Sequence, residues 1–223
     1  MNRVAIAQHF HRLAAIPREE IFGPDEPSTR PLNLPSDATT MFAGYVGKRY
    51  TPGQGIVILG INPGGGGDAY VARTAEDELF YPTLAEFKGA QSQHVLTAFE
   101  RVNEAFVSIV QAWNLWRILA PTLEAAGRDI SEAVYMNVIP YRTRGDKLPT
   151  AEARHSAWNK VVAPTLALLL PRAIVTLGKK AGAIVDALAP RHLERYCVPR
   201  TIGDSYVSEQ ARAVHEQMKT ALA

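Results

Sequence analysis

The chain has 223 residues, 47% of them apolar and 21% charged, with a formal net charge of +2. That length and apolar share allow one ordinary domain with an ample core, and the near-balanced charge excludes a polycation, so any nucleic-acid contact has to come from a local basic patch. A single cysteine, Cys197, excludes an intramolecular disulfide and an all-cysteine metal cluster, which suits a reducing compartment; with neither an apolar leader nor a run approaching the ~18 apolar residues of a membrane span, the expected location is the cytoplasm and no membrane partner is expected.

Residues 3–16 set Ile6, Phe10, Leu13 and Ala14 on one face, which predicts an amphipathic helix packed on the domain. His9 and His11 flank Phe10, but two residues apart on a helix they point to nearly opposite sides and cannot share a metal ion. Residues 17–40 are rich in prolines and charges, including Gly23-Pro24 and Glu26-Pro27. They are expected to form an irregular wrapping segment within a single domain of residues 1–223. Residues 42–50 then lead through the turn Thr51-Pro52-Gly53 into the first core strand.

That strand opens the most informative stretch, GIVILGINPGGGGDAY at residues 55–70. Ile56, Val57, Ile58 and Leu59 are bulky and mostly β-branched, so they read as a strand buried on both faces, as in a parallel sheet. Pro63 has no N–H and a fixed φ, so the ladder ends there, and Gly64 to Gly67 allow a ligand to approach the backbone closely. Ligands of open α/β folds bind at the carboxyl ends of the strands, which puts Asn62 where a side chain can act on one. A P-loop requires Gly-Lys-Ser or Gly-Lys-Thr after the glycines, and Asp68-Ala69-Tyr70 follows instead. The dinucleotide fingerprint fits poorly too, because Pro63 interrupts its glycine spacing. A loop that only turns a corner remains as the bland alternative.

The segment YVGKRYTPGQGIVILGINPGGGGDAY resembles the first motif region of the uracil-DNA glycosylase superfamily, nearest its single-strand-selective and mismatch-specific branches. Those branches carry Gly-x-Asn-Pro-Gly at the end of the first core strand, matched here by Gly60-Ile61-Asn62-Pro63-Gly64. The resemblance implies an α/β fold, a three-layer α/β/α arrangement around a central parallel four-stranded sheet over roughly residues 40–223. It also implies Asn62 as the catalytic residue and Gly60 and Ile61 beside the base. The family's first motif is followed by an aromatic ring on which the extracted base stacks; Phe80 takes that place, with Tyr70 and Tyr81 as rivals and a core-anchoring role for Phe80 as the alternative. Residues 93–119 space Leu96, Phe99, Val102, Phe106, Ile109, Val110 and Trp113 as one long helical stretch packed on the core.

A second match follows at residues 133–150, AVYMNVIPYRTRGDKLPT. It resembles the family's middle segment, where an Asn at a strand end faces the pyrimidine edge, and Asn137 takes that position. A side-chain amide offers a donor and an acceptor together, matching O4 and N3–H of uracil and disfavouring the amino group of cytosine. An Asn that merely turns the strand end is the alternative. Arg142, Arg144 and Lys147 crowd the next loop as candidate phosphate contacts. Thr150 is placed to N-cap a helix running toward Leu170 with a kink at Pro164, and Ala173 to Leu177 form a strand closed by Gly178. PRAIVTLGKKAG again resembles the family, with Lys179 and Lys180 as the basic residues that follow. Three strands alternating with helices imply right-handed crossovers and a parallel sheet.

The last motif departs from the family, which closes with a strand ending in His-Pro, then a Ser-containing loop and a terminal helix. Here Val198-Pro199-Arg200 puts valine in the histidine position, with Ser205 in the following loop and an amphipathic helix to Ala223. Loss of one preorganised hydrogen-bond donor costs about 10²–10³ in rate, and Arg200 or backbone N–H groups are the candidates to replace it. The expected function is hydrolysis of the N-glycosidic bond of uracil or a related deaminated base in DNA, on a flipped or single-stranded nucleotide, with Asn62 holding a water and no metal or cofactor required. The alternatives are a catalytically impaired DNA-binding relative and a small-molecule nucleobase binder.

Overall fold

Five short segments of high β-propensity assemble into one mixed sheet. In the computed structural model, which describes residues 2–32, 34, 37–64, 76–200 and 207–222, they are β1 (Tyr45–Val46), β2 (Ile56–Gly60), β3 (Ala133–Asn137), β4 (Ala173–Leu177) and β5 (Glu194–Val198), in the spatial order β1-β3-β2-β4-β5. β2 pairs parallel with β3, from Ile56↔Ala133 to Gly60↔Asn137, and parallel with β4, from Ile56↔Ala173 to Leu59↔Thr176. β4 pairs parallel with β5, while β1 lies antiparallel on β3 through Tyr45↔Tyr135 and Val46↔Val134. Every residue of β2, β3 and β4 is buried, as expected of strands covered on both faces.

The sheet is therefore five-stranded and mixed rather than the purely parallel four-stranded sheet expected. The added strand, β1, has only two residues, too few for an alternating pattern to register. Its seat is set by close approach: a Cβ on Gly47 would lie 2.2 Å from the Ser131 carbonyl oxygen.

Helix α1 (Arg3–Ala14) buries Ile6, Phe10, Leu13 and Ala14 as its pattern predicts, and the Asn2 side chain caps it by accepting from the Val4 N–H at 2.9 Å. The segment expected to be irregular contains the one-turn helices α2 (Arg18–Phe22) and α3 (Glu26–Thr29). Pro17, Pro24 and Pro27 sit at or next to helix starts, where the missing N–H costs nothing. Arg18 ties this segment down: it is buried, pairs with Glu26 at 3.2 Å, donates to the Arg142 carbonyl at 3.0 Å, and covers the rings of Phe22 and Tyr141.

After α4 (Tyr81–Lys88), the stretch expected as one long helix is divided into α5 (Val95–Val110) and α6 (Trp116–Ala125). Tight-turn bonds from the Ala112 N–H to the Ile109 carbonyl and from the Trp113 N–H to the Val110 carbonyl replace the helical ladder. Leaving the helix there brings the Trp113 ring against Phe80 and Phe106. Thr150 caps α7 (Ala151–Ala157) through the Ala153 N–H, and a wide turn at Trp158–Val162 precedes α8 (Ala163–Leu169), whose first turn holds Pro164. α9 (Lys179–Leu188) and α10 (Glu209–Leu222) complete the chain. Among the described residues, no helix is long and apolar enough to cross a membrane.

Candidate functional site

Of the four mutually parallel-paired strands, β2 comes first in the chain yet lies between β3 and β4. The chain leaves β2 for one neighbour and later crosses to the other, so the carboxyl end of β2 borders a topological switch point, the usual ligand crevice of an open α/β sheet. Beyond the strand ends the ladder continues: the Val138 N–H donates to the Gly60 carbonyl and the Ile139 N–H to the Ile61 carbonyl, both at 2.9 Å. These bonds fix Gly60-Ile61-Asn62 against the segment that follows Asn137.

The half-buried Asn62 is oriented by one partner. Its Nδ2 donates to Thr143 Oγ1 at 3.0 Å, and the Thr143 hydroxyl donates to the Lys147 carbonyl at 2.8 Å. A hydroxyl has one hydrogen, and Thr143 commits it to Lys147, so toward Asn62 it only accepts. The Asn62 amide is thereby held with its NH₂ toward Thr143 and its Oδ1 turned away, and among the described residues that oxygen has no hydrogen-bond partner. A fixed amide oxygen at a strand end is an acceptor suited to holding a water or a substrate N–H.

The second amide is set against Gly60. Asn137 is 2% exposed, and its Oδ1 accepts a long, 3.4 Å bond from the Tyr135 hydroxyl on the same face of β3. A Cβ at Gly60 would lie 2.5 Å from Asn137 Oδ1 and 2.7 Å from the Tyr135 hydroxyl oxygen, so the absence of a side chain at Gly60 is what lets Asn137 and Tyr135 lie over β2. Burial pushes the Tyr135 hydroxyl pKa up, the nearby Arg200 charge works against that rise, and the Tyr81 hydroxyl adds to it. Tyr81 and Arg200 thus lie within electrostatic reach of the Tyr135 hydroxyl, which donates to Asn137.

The other expected site residues divide. Phe80 is 1% exposed, its ring enclosed by edge or tilted contacts with Phe42, Tyr81, Phe106 and Trp113, so it sits as a core anchor in this structure. Arg142 is also buried, its guanidinium 4.1 Å over the Tyr81 ring, which removes it from the exposed phosphate contacts expected of the loop. Arg144 is half-buried and Lys147 exposed on the same loop. Lys179 and Arg200 are exposed, Lys179 at the start of α9 and Arg200 in an antiparallel bridge with Val207. Ser205, Tyr70, Asp68 and Gly65 to Gly67 lie outside the described residues. Val198, in the position expected of histidine, is fully buried and pairs with Leu177. The Cys197 thiol points at the Gly178 carbonyl, at 3.9 Å.

Two residues of the site escape a reading of the sequence. Thr143 stands between two arginines in a loop, and nothing in that context marks it as the partner of a residue 81 positions away. Tyr135 carries a faint signal, since two residues before Asn137 it shares that residue's strand face. Among the described residues, no group of three His, Cys, Asp or Glu side chains is placed to hold a metal ion. No protein-family model matches the chain, and no curated protein matches it.

Proposed function

We propose that the protein is a DNA base-excision glycosylase of the uracil-DNA glycosylase-like α/β/α class, hydrolysing the N-glycosidic bond of uracil or a related deaminated base. The observation that carries this reading is the pairing of two oriented amides at adjacent parallel strand ends, Asn62 held by Thr143 and Asn137 held over Gly60. In the proposed reaction the nucleotide is flipped or already single-stranded. Asn137 reads the pyrimidine edge, and Asn62 Oδ1 holds a water against the anomeric carbon. An amide is a poor general base, so Asn62 positions rather than deprotonates, and the glycosidic bond breaks largely by departure of the base before water adds. Arg200, whose charge reaches the Tyr135 hydroxyl, is the cation on hand to stabilise the departing base in place of the histidine absent at Val198.

A second reading, a DNA-binding relative that keeps the pocket without turnover, is favoured by one observation: the position expected of histidine is a fully buried valine. Incubating the wild type and Asn62→Ala with labelled single-stranded and duplex oligonucleotides carrying uracil, hypoxanthine or xanthine separates the two. Abasic sites formed by the wild type and not by Asn62→Ala support excision. A salt-sensitive complex without abasic sites supports the binding reading. Neither cleavage nor binding rejects both.

A further inference from the structure

A cleft of about 380 Å³ lies between α7 and α9. Its rim carries Arg154, Lys179 and Lys180, and its floor is apolar, formed by Leu148, Ile184 and Leu188. Lys180, Ile184 and Leu188 are spaced four apart along α9, so one stripe of that helix faces the cleft. No carboxylate lines it, and among the described residues none of its three basic side chains forms an ion pair. Three unneutralised cations over an apolar floor match a ligand with repeating negative charge and a flat apolar face.

The cleft is tied to the candidate site through the chain. Leu148 follows Lys147, whose carbonyl fixes the hydroxyl of Thr143 and through it Asn62, and Lys179 follows Gly178 at the carboxyl end of β4. We propose that this cleft is the track of a single-stranded DNA segment flanking the excised nucleotide, with Arg154, Lys179 and Lys180 on its phosphates and Leu148, Ile184 and Leu188 against an unstacked base. The choice of DNA rests on the excision reading; the choice of a single strand rests on the floor. In a duplex the bases face inward on their partners, so a duplex can use the basic rim but not the apolar floor.

The test is fluorescence anisotropy of the full chain with a labelled, uracil-free oligothymidylate and with a duplex of equal length, across a salt series. The wild type should bind the single strand more tightly. Arg154→Gln with Lys180→Gln should weaken it at least tenfold and flatten the log K against log salt plot by about 0.7 per lost phosphate contact. Leu188→Ser should weaken the single strand severalfold and leave the duplex unchanged. Unchanged affinity and salt slope in the double variant overturn the track, and duplex binding equal to and as Leu188-dependent as single-strand binding overturns the strand assignment. Because the probe carries no excisable base, the outcomes separate: cleft variants that lose the strand while the wild type itself excises no base reject the excision reading alone, and excision by the wild type with cleft variants that bind normally rejects the cleft alone.

Discussion

Gly60→Ala tests the packing that holds the Asn137 amide. The new Cβ would stand 2.5 Å from Asn137 Oδ1 and 2.7 Å from the Tyr135 hydroxyl, whereas carbon and oxygen ordinarily keep about 3.3–3.6 Å apart, so the amide has to retreat by roughly 0.8 Å or more. Neither neighbour yields easily, since Asn137 is 2% exposed and Tyr135 6%. Overpacking of this kind costs about 1–3 kcal/mol. With an unfolding entropy of about 2.1 cal/mol/K per residue, each kcal/mol lowers the Tm of a 223-residue chain by about 2 °C, so a fall of about 2–6 °C is expected. A displacement near 1 Å costs about 10²-fold in rate, so single-turnover uracil release should fall by 10- to 100-fold while the protein stays folded at the assay temperature. Gly60→Ala combined with Asn137→Ser relieves the nearer of the two contacts and leaves the one with Tyr135, so it should recover part of the Tm but not the rate. Wild-type Tm and rate in Gly60→Ala would falsify the steric argument.

Three further outcomes are expected. Thr143→Val should lower kcat by about tenfold with little change in KM, because the Asn62 amide loses the partner that fixes its orientation, whereas Thr143→Ser keeps the hydroxyl and should restore most of the rate; equal loss in both variants would remove the orienting role. His9 Nε2 is bonded to Thr165 Oγ1 at 2.9 Å, and burial together with Arg12 draws its pKa from 6.5 down to about 4. The folded state therefore favours the neutral ring: its contribution is complete above pH 6.5 and is lost progressively as pH falls toward 4. His215 against Thr122 acts in the same direction. Urea denaturation at pH 7.5 and 5 should show this loss in the wild type and a smaller one in His9→Gln; an equal loss in both would assign it elsewhere. Glu26→Ala leaves the buried Arg18 without its carboxylate and should cost about 3 kcal/mol, measured by urea denaturation at pH 7.5, since a broken buried pair strands a charge. A change below about 0.5 kcal/mol would show that Arg18 finds water or another partner instead.

The strands β2, β3 and β4, and the placing of Asn62 and Asn137 at or just beyond strand ends, were legible in the sequence because each has a local cause. Unbroken β-branched runs mark β2 and β4, and Pro63 and Pro140 mark where β2 and the segment beyond β3 must leave the ladder. What was not legible depends on partners distant in the chain. β1 is two residues whose place is set by Gly47 passing over Ser131. The division between α5 and α6 is imposed by Trp113 turning into the Phe80 and Phe106 rings, which overrides good helical periodicity across the break. Arg142 reads as a loop cation by composition, yet its guanidinium lies over Tyr81, a contact no spacing rule anticipates. Thr143 is the clearest case: an ordinary threonine becomes the orienting residue only because the turn after it brings the Lys147 carbonyl within reach of its hydroxyl.

The most direct test of the account is the single-turnover rate of free uracil release from a single-stranded oligonucleotide by the wild type, Thr143→Val and Asn62→Ala. If Asn62, oriented by Thr143, holds the attacking water, the rates fall in that order, with Asn62→Ala down by about 10² or more. Uracil release by Asn62→Ala at the wild-type rate would contradict the assignment of the site.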